Sequence, residues 1–269
     1  MQFLKPLCLC AALSVAGVSH ADDASSDALA LARMVADRAA NEGRVGTMHF
    51  QLTSSSKRVR EREALMLHSD IGVTERIAIY FTEPTVIEET AFLSFNHTSR
   101  EDENWLYLPA TERVRRLPAG DRGDYFLGTD LTYGDIKDNF KFSLDDWQFE
   151  LGEPAQYKGA LMPVLKGTAR NPEIGIEMGY ASFQAKIDEA SGFPIWIEYT
   201  DTDGEPLKQI EILMIEPVGD APTAIHFTAE NLQTGHHTEV RFSDMRHVPD
   251  LDDSVFDPEV LAYGVPDVD

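Results

Sequence analysis

The sequence predicts a mainly β protein built on one large antiparallel sheet, either a barrel or a strongly curved open one. Three observations lead there. Residues alternate with a period of two, as where Glu75, Ile77, Ile79 and Phe81 interleave with Thr74, Arg76, Ala78 and Tyr80. Turn signals punctuate the runs at regular spacing: Glu-Ala-Ser-Gly at 189–192, Asp-Thr-Asp-Gly at 201–204 and Leu-Gln-Thr-Gly at 232–235. Connections are short, so about eleven candidate strands follow one another with no linker, the pattern of an all-β sheet.

Taken in order, residues 1–21 read as a secretory signal. Lys5 supplies a positive start, residues 7–18 an apolar run too short to span a bilayer, and Ser19-His20-Ala21 a cleavage site. Cys8 and Cys10 each follow a Leu, which argues against a lipid anchor, and both would leave with the signal. Residues 22–269 are then expected to form a single domain, with no disulfide and no Cys-based chemistry. Residues 26–43 read as an amphipathic helix, with Ala28, Leu31, Ala32, Val35 and Ala39 on one face and Gly43 at its end. Strands follow through the centre, including runs at 179–188, 194–200, 207–216, 224–231 and 237–245. A short helix is expected at 257–262, where Pro258 suits the first turn. Two short helices cannot cover so many strands, which leaves a concave apolar surface only partly filled.

The formal net charge is −23. A chain this acidic is repelled by nucleic acid and by anionic lipid surfaces, although an internal apolar site is indifferent to that outer field. Against this background residues 105–136 stand out. They hold Arg113, Arg115, Arg116 and Arg122 between aromatics, followed by Asp124, Asp130 and Asp135. The stretch reads as a strand at 105–108, a turn at 109–111, a basic strand at 113–117 and a Gly-rich crossing segment at 118–135. On a strand, Arg113 and Arg115 share one face and Arg116 opposes them. They suit docking or headgroup contact through forked hydrogen bonds to phosphate or carboxylate; internal ion pairs with Asp121, Asp124 and Asp130 are the alternative.

Little here calls for chemistry. Three aspartates beside Gly123, Gly128 and Gly134 suit turns and caps better than an acid–base pair. His236 and His237 are adjacent on a strand, point to opposite faces and cannot easily share a metal ion. The sequence has no nucleophile elbow, no His-Glu-x-x-His and no phosphate loop. No enzymatic activity, metal or cofactor is expected.

One resemblance adds to this. Residues 192–212 (GFPIWIEYTDTDGEPLKQIEI) and 231–261 (NLQTGHHTEVRFSDMRHVPDLDDSVFDPEVL) order a Pro-x-Trp, an Asp-Gly turn, an Asn-x-x-Thr-Gly-x-x-Thr hairpin and an acidic-Phe-x-Pro helix start. With Trp105-Leu106-Tyr107-Leu108-Pro109, Arg113-Val114-Arg115-Arg116, Gly128-Thr129-Asp130-Leu131 and Asp135, the chain resembles the LolA-like superfamily, in its outer membrane lipoprotein-sorting branch. The resemblance implies a half-open antiparallel β-barrel with an N-terminal helix and short helices over the open face. It implies a soluble periplasmic carrier, a monomer, that moves acyl chains of lipids or lipoproteins between membranes. It also implies an inner-membrane RND-type transporter as partner. Trp105, Tyr107, Phe126, Leu131, Tyr133 and Trp196 are the expected groove residues, against the alternative that they are ordinary sheet core. Arg113, Arg115 and Arg116 are the expected partner or headgroup contacts. A non-carrying adaptor docked on a transporter is the alternative function, and a cell-envelope hydrolase a further one.

Overall fold

The computed structural model describes residues 20–39, 42–71, 74–97, 101–118 and 122–268. The expected signal segment lies outside these apart from its last two positions, which fall in a helix. The first element is α1 (His20–Ala36); the strands β1 (Arg44–Thr53), β2 (Val59–Ile71), β3 (Thr74–Glu83), β4 (Ala91–His97), β5 (Glu103–Leu108) and β6 (Arg113–Leu117) follow. A crossing segment carries the short helix α2 (Tyr133–Asp138). Then come β7 (Trp147–Tyr157), β8 (Ala160–Ala169), α3 (Pro172–Met178), β9 (Ser182–Asp188), β10 (Phe193–Thr200), β11 (Pro206–Val218), β12 (Ala221–Asn231) and β13 (His237–His247).

The thirteen strands form one antiparallel sheet in the order β6-β5-β4-β3-β2-β1-β13-β12-β11-β10-β9-β8-β7. Each strand pairs with its neighbour in sequence, except that β1 joins β13. The two edges, β6 and β7, are consecutive in the chain yet unpaired, so the sheet stays open. This corrects two expectations: there are thirteen strands rather than about eleven, and the sheet is an open strip rather than a half-open barrel.

Alternation explains which side chains go where. In β9, Phe183, Ala185 and Ile187 are buried while Gln184 and Lys186 are half-exposed, because successive side chains leave a strand on opposite faces. The inner face carries the main core. Phe50, Ile79, Phe81, Phe92, Phe183, Ile197, Ile210 and Val240 converge there from both halves of the strip. Each such side chain contributes roughly 1.5–3 kcal/mol by leaving water. Helix α1 adds Ala28, Leu31, Ala32 and Val35, one face at helical spacing, and lies against β7 and β8.

Strand β3 is different, since five consecutive residues from Ile77 to Phe81 are buried. A strand covered on both faces must be apolar on both. Its outer cover is the C-terminal segment, with 3₁₀ turns at Asp253–Phe256 and Pro258–Tyr263. Leu251, Val255, Phe256 and Leu261 pack there on Val45, Leu67, Ala78, Tyr80 and Leu93. The short helix expected near 257–262 is therefore a 3₁₀ turn on the outer face, not a cover over the open side. Helix α1 also ends at Ala36, short of Gly43. Gly43 serves close approach rather than capping, because a Cβ there would sit 2.0 Å from the carbonyl oxygen of Val248.

Candidate functional site

What fills the inner face is the crossing segment between the two sheet edges. It starts at Arg122, whose guanidinium meets Asp146 at 3.2 Å and Glu177 at 2.9 Å. The Gly123 amide donates to the Glu177 carbonyl at 2.8 Å. A Cβ at Gly123 would lie 2.6 Å from backbone atoms of Met178 and Gly179, so only glycine allows this docking onto α3. The chain then folds back on itself, with Tyr125 bridging Thr132 and the Phe126 amide donating to the Leu131 carbonyl at 2.7 Å. Thr132 and Asp135 form a reciprocal capping box that starts α2.

This segment works as a plug. Phe126, Leu131, Phe140 and Phe142 are buried in the main core, with Tyr133 and Ile136 packed against it. Phe126 lies 5.4 Å edge-on from both Phe92 and Tyr133 and 6.1 Å from Phe81. Its attachments to the sheet are largely polar. Asp130 accepts from the Thr238 hydroxyl at 2.7 Å and meets His236 at 2.6 Å, and its own amide donates to Thr238. Asp135 pairs with Lys208, which is fully buried with its ammonium 4.7 Å above the Tyr199 ring. Asn231 donates to the Tyr125 hydroxyl, Arg62 to the Leu127 carbonyl, and Asn96 to the Lys137 carbonyl. Lys137 pairs with Asp102, and Arg38 donates to the Asn139 carbonyl.

Between plug and sheet lies a cavity of about 60 Å³. Met48, Met66, Ile77, Ile79, Phe227 and Phe242 form its apolar wall, Leu131, Ile136 and Phe140 its plug side, and Arg44, His68 and Thr223 its polar end. That is room for a few waters, far below the roughly 300–1,000 Å³ of a ligand pocket. An acyl chain enters only if the plug moves. A larger cavity, about 490 Å³, is lined mainly by charged side chains of the outer face, including His49, Glu61, Glu63, Glu239 and Arg241. These pair with one another, as in His49–Glu63 and Arg241–Glu239, and offer an apolar ligand little.

The polar end is a buried chain of charges. Arg44 donates to His68 Nδ1 at 2.9 Å and to the Thr223 hydroxyl at 3.2 Å, and His68 Nε2 meets Glu75 at 2.6 Å. Burial and the Arg44 charge hold His68 below its ordinary range. Burial works against the Glu75 carboxylate, but its bond to His68 and the nearby charges of Lys141 and Arg44 outweigh it and hold the group at about 2. The network therefore reads as cation, neutral imidazole and carboxylate.

The residues singled out from sequence fall into three places. Phe126, Leu131 and Tyr133 come together in the plug. Trp105 and Tyr107 lie on the outer face instead, in the core beneath the C-terminal segment, where Trp105 stands 5.1 Å edge-on to Phe95. Only Leu106 between them turns inward. Trp196 is also outward, with the Lys186 ammonium 3.7 Å above its ring. Arg113 and Arg115 share one side of the edge strand β6 and are exposed. They have no ion-pair partner among the described residues, whereas Arg116 meets Glu103 at 3.1 Å. Asp124 is exposed, while Asp130 and Asp135 are plug attachments. No group of three potential metal ligands exists among the described residues. No described helix is long and apolar enough to cross a membrane.

Sequence reasoning missed Arg44, His68 and the methionines at 48 and 66. They come from strands 24 positions apart in register, Arg44 opposite His68, and strand parity could have grouped them once that pairing was known.

Comparison with known proteins places this architecture. A family model described as “uncharacterized protein” matches residues 74–262. A putative outer membrane lipoprotein-sorting protein domain from Vibrio parahaemolyticus superposes with a TM-score of 0.79 at 25% identity, over 88% of this chain and 99% of its own. A DUF1329 family protein from Desulfovibrio piger gives a TM-score of 0.79 at 20% identity, over 88% of this chain and 99% of its own. A LolA superfamily protein from Nitrosomonas europaea gives 0.64 at 17%, over 87% of this chain and 97% of its own. No curated protein matches the sequence. With that family model matching residues 74–262, most of the chain, the chain belongs to the family it describes, and it shares its fold with the lipoprotein-sorting protein domain, the DUF1329 family protein and the LolA superfamily protein.

Proposed function

We propose that this protein carries acyl chains of lipids or lipoproteins through the periplasm, holding them on the inner face of the sheet in place of the plug. The observation that carries this reading is the nature of the plug itself. A continuous apolar face is covered by a segment whose own apolar side chains fill it and whose attachments are mostly hydrogen bonds and ion pairs. Those groups can exchange protein partners for water when the segment lifts, at a net cost of about 0.5–1.5 kcal/mol for each ordinary hydrogen bond. An incoming chain recovers about 0.8 kcal/mol for each CH₂ it buries. Plug and cargo are then competing occupants of one surface, and loading needs no covalent chemistry.

Protein isolated from the periplasm and extracted for mass spectrometry is expected to yield stoichiometric lipid, and delipidated protein to bind a fluorescent fatty-acid probe that added lipid displaces. Protein that is always empty and takes up no probe would contradict carriage and leave the non-carrying adaptor.

A further inference from the structure

We propose that the Arg44 end of the inner face is a seat for an anionic head, so that the cargo is an acidic amphiphile: an apolar chain ending in a carboxylate or phosphate. The inference rests on the carriage reading above and specifies its ligand. Three observations on the inner face lead to it.

The first is a polarity gradient along the strands. On β1 the inward residues run from Arg44 through Met48 to Phe50, on β2 from His68 through Met66 to Ala64, and on β3 from Glu75 through Ile77 and Ile79 to Phe81. Arg44 and Phe50 are six residues apart, about 20 Å at roughly 3.3 Å per residue. Arg44, His68 and Glu75 cluster at one end; at the other, Arg62 opposite Phe50 already donates to the Leu127 carbonyl of the plug, and the apolar stretch between is long enough for an extended acyl chain.

The second is unused donor capacity. A guanidinium has five N–H groups. Arg44 spends Nε and one Nη2 hydrogen on His68 and one Nη1 hydrogen on Thr223. One hydrogen on each terminal nitrogen has no acceptor among the described residues, on a side chain that is 4% exposed and lines the cavity. A forked pair of donors is the arrangement that binds carboxylate or phosphate through two oxygens.

The third is the local balance of charge. Among the described residues, the charges that act most on this end are Arg38, Arg44 and Lys141 against Glu75 and Asp70, three cations to two carboxylates within a chain of net −23. Arg38 is buried and forms no ion pair among the described residues: it donates to the carbonyls of Gly192 and Asn139 and lies 3.7 Å over the Phe193 ring. Asp135, the carboxylate on the plug side of the cavity, is already neutralised by Lys208. An uncompensated buried cation is costly, and an anionic head supplies the missing charge.

The test compares hexadecanoate, hexadecyl phosphate and hexadecan-1-ol as competitors of a fluorescent acyl probe on delipidated protein at pH 8. At least a tenfold preference for one or both anions over the alcohol is expected, and the ratio of the two anions tells carboxylate from phosphate. Arg44→Gln should reduce that preference to within about twofold, and Arg44→Lys should retain part of it, with thermal melts showing that both variants fold. Equal binding of anions and alcohol by the unaltered protein overturns the seat but leaves carriage standing. A preference that survives in folded Arg44→Gln also overturns it. Binding of none of the three overturns carriage and the seat together.

Discussion

Arg44, His68 and Glu75 show how one proton governs the polar end of the core. His68 accepts from Arg44 and meets Glu75 at 2.6 Å, and it stays neutral because burial and the adjacent guanidinium oppose a second cation. Its folded value lies below the ordinary 6.5, so the unfolded chain binds the proton first on acidification. Stability held above pH 6.5 should therefore fall as the pH drops below it, by at most about 1.4 kcal/mol per pH unit for one proton. Glu75, lowered from 4.5 to about 2, adds a second loss between those values. His68→Gln should flatten the first of these windows and narrow the second, because the bond from His68 is the largest influence lowering Glu75, read from urea midpoints between pH 8 and pH 3. Parallel curves for the two proteins would show that His68 is not the group that titrates. None of this network was legible in the sequence. A lone arginine and a lone histidine carry no motif, and only the register of β1 on β2 brings them together. The aromatic picks met a related obstacle. Parity alone puts Trp105 and Tyr107 on one face and Leu106 on the other, but β3, β4 and β5 are covered on both faces, so parity does not say which side is inward.

Among elements, the strands were the readable part, because period-two alternation is imposed directly by burial on one side of a sheet. Alternation fades at the edge: in β7 only Trp147 is fully buried and the other positions are exposed or half-buried. Asn171 and Pro172 announce α3 as cap and first-turn residue, a signal overlooked in a chain read as nearly all strand. The crossing segment was recognised as such, but its role depends on what lies beneath it. Phe126 illustrates the difference between lining a groove and occupying it. If it occupies the site in place of cargo, Phe126→Ala should cost about 3–5 kcal/mol of stability and raise acyl-probe affinity several-fold. A groove-lining Phe126 would give the opposite result, weaker probe binding, in the same titration and melt.

At the scale of the whole molecule, the strip is a near-complete meander. A single pairing, β1 with β13, joins its halves across most of the sequence. Local pattern cannot show such a contact, nor that the two edges remain apart. That gap matters: β6 and β7 are consecutive strands that never pair, and the segment joining them takes the place of closure by crossing the inner face. The outside carries the acidity, with Arg113 and Arg115 among its exposed basic residues at the β6 edge, so the apolar interior and the charged exterior are separate problems for the chain. Exchange of plug for cargo is the central claim. Its most direct test exploits the attachment between Asp130 and Thr238, where the Asp130 amide lies 2.9 Å from the Thr238 hydroxyl. The only native cysteines are Cys8 and Cys10, in the expected signal. In protein lacking that segment, Asp130→Cys with Thr238→Cys would tie the plug to the sheet on oxidation. Acyl-probe binding should vanish in the oxidised protein and return on reduction. Equal binding by the oxidised and reduced forms would contradict the account.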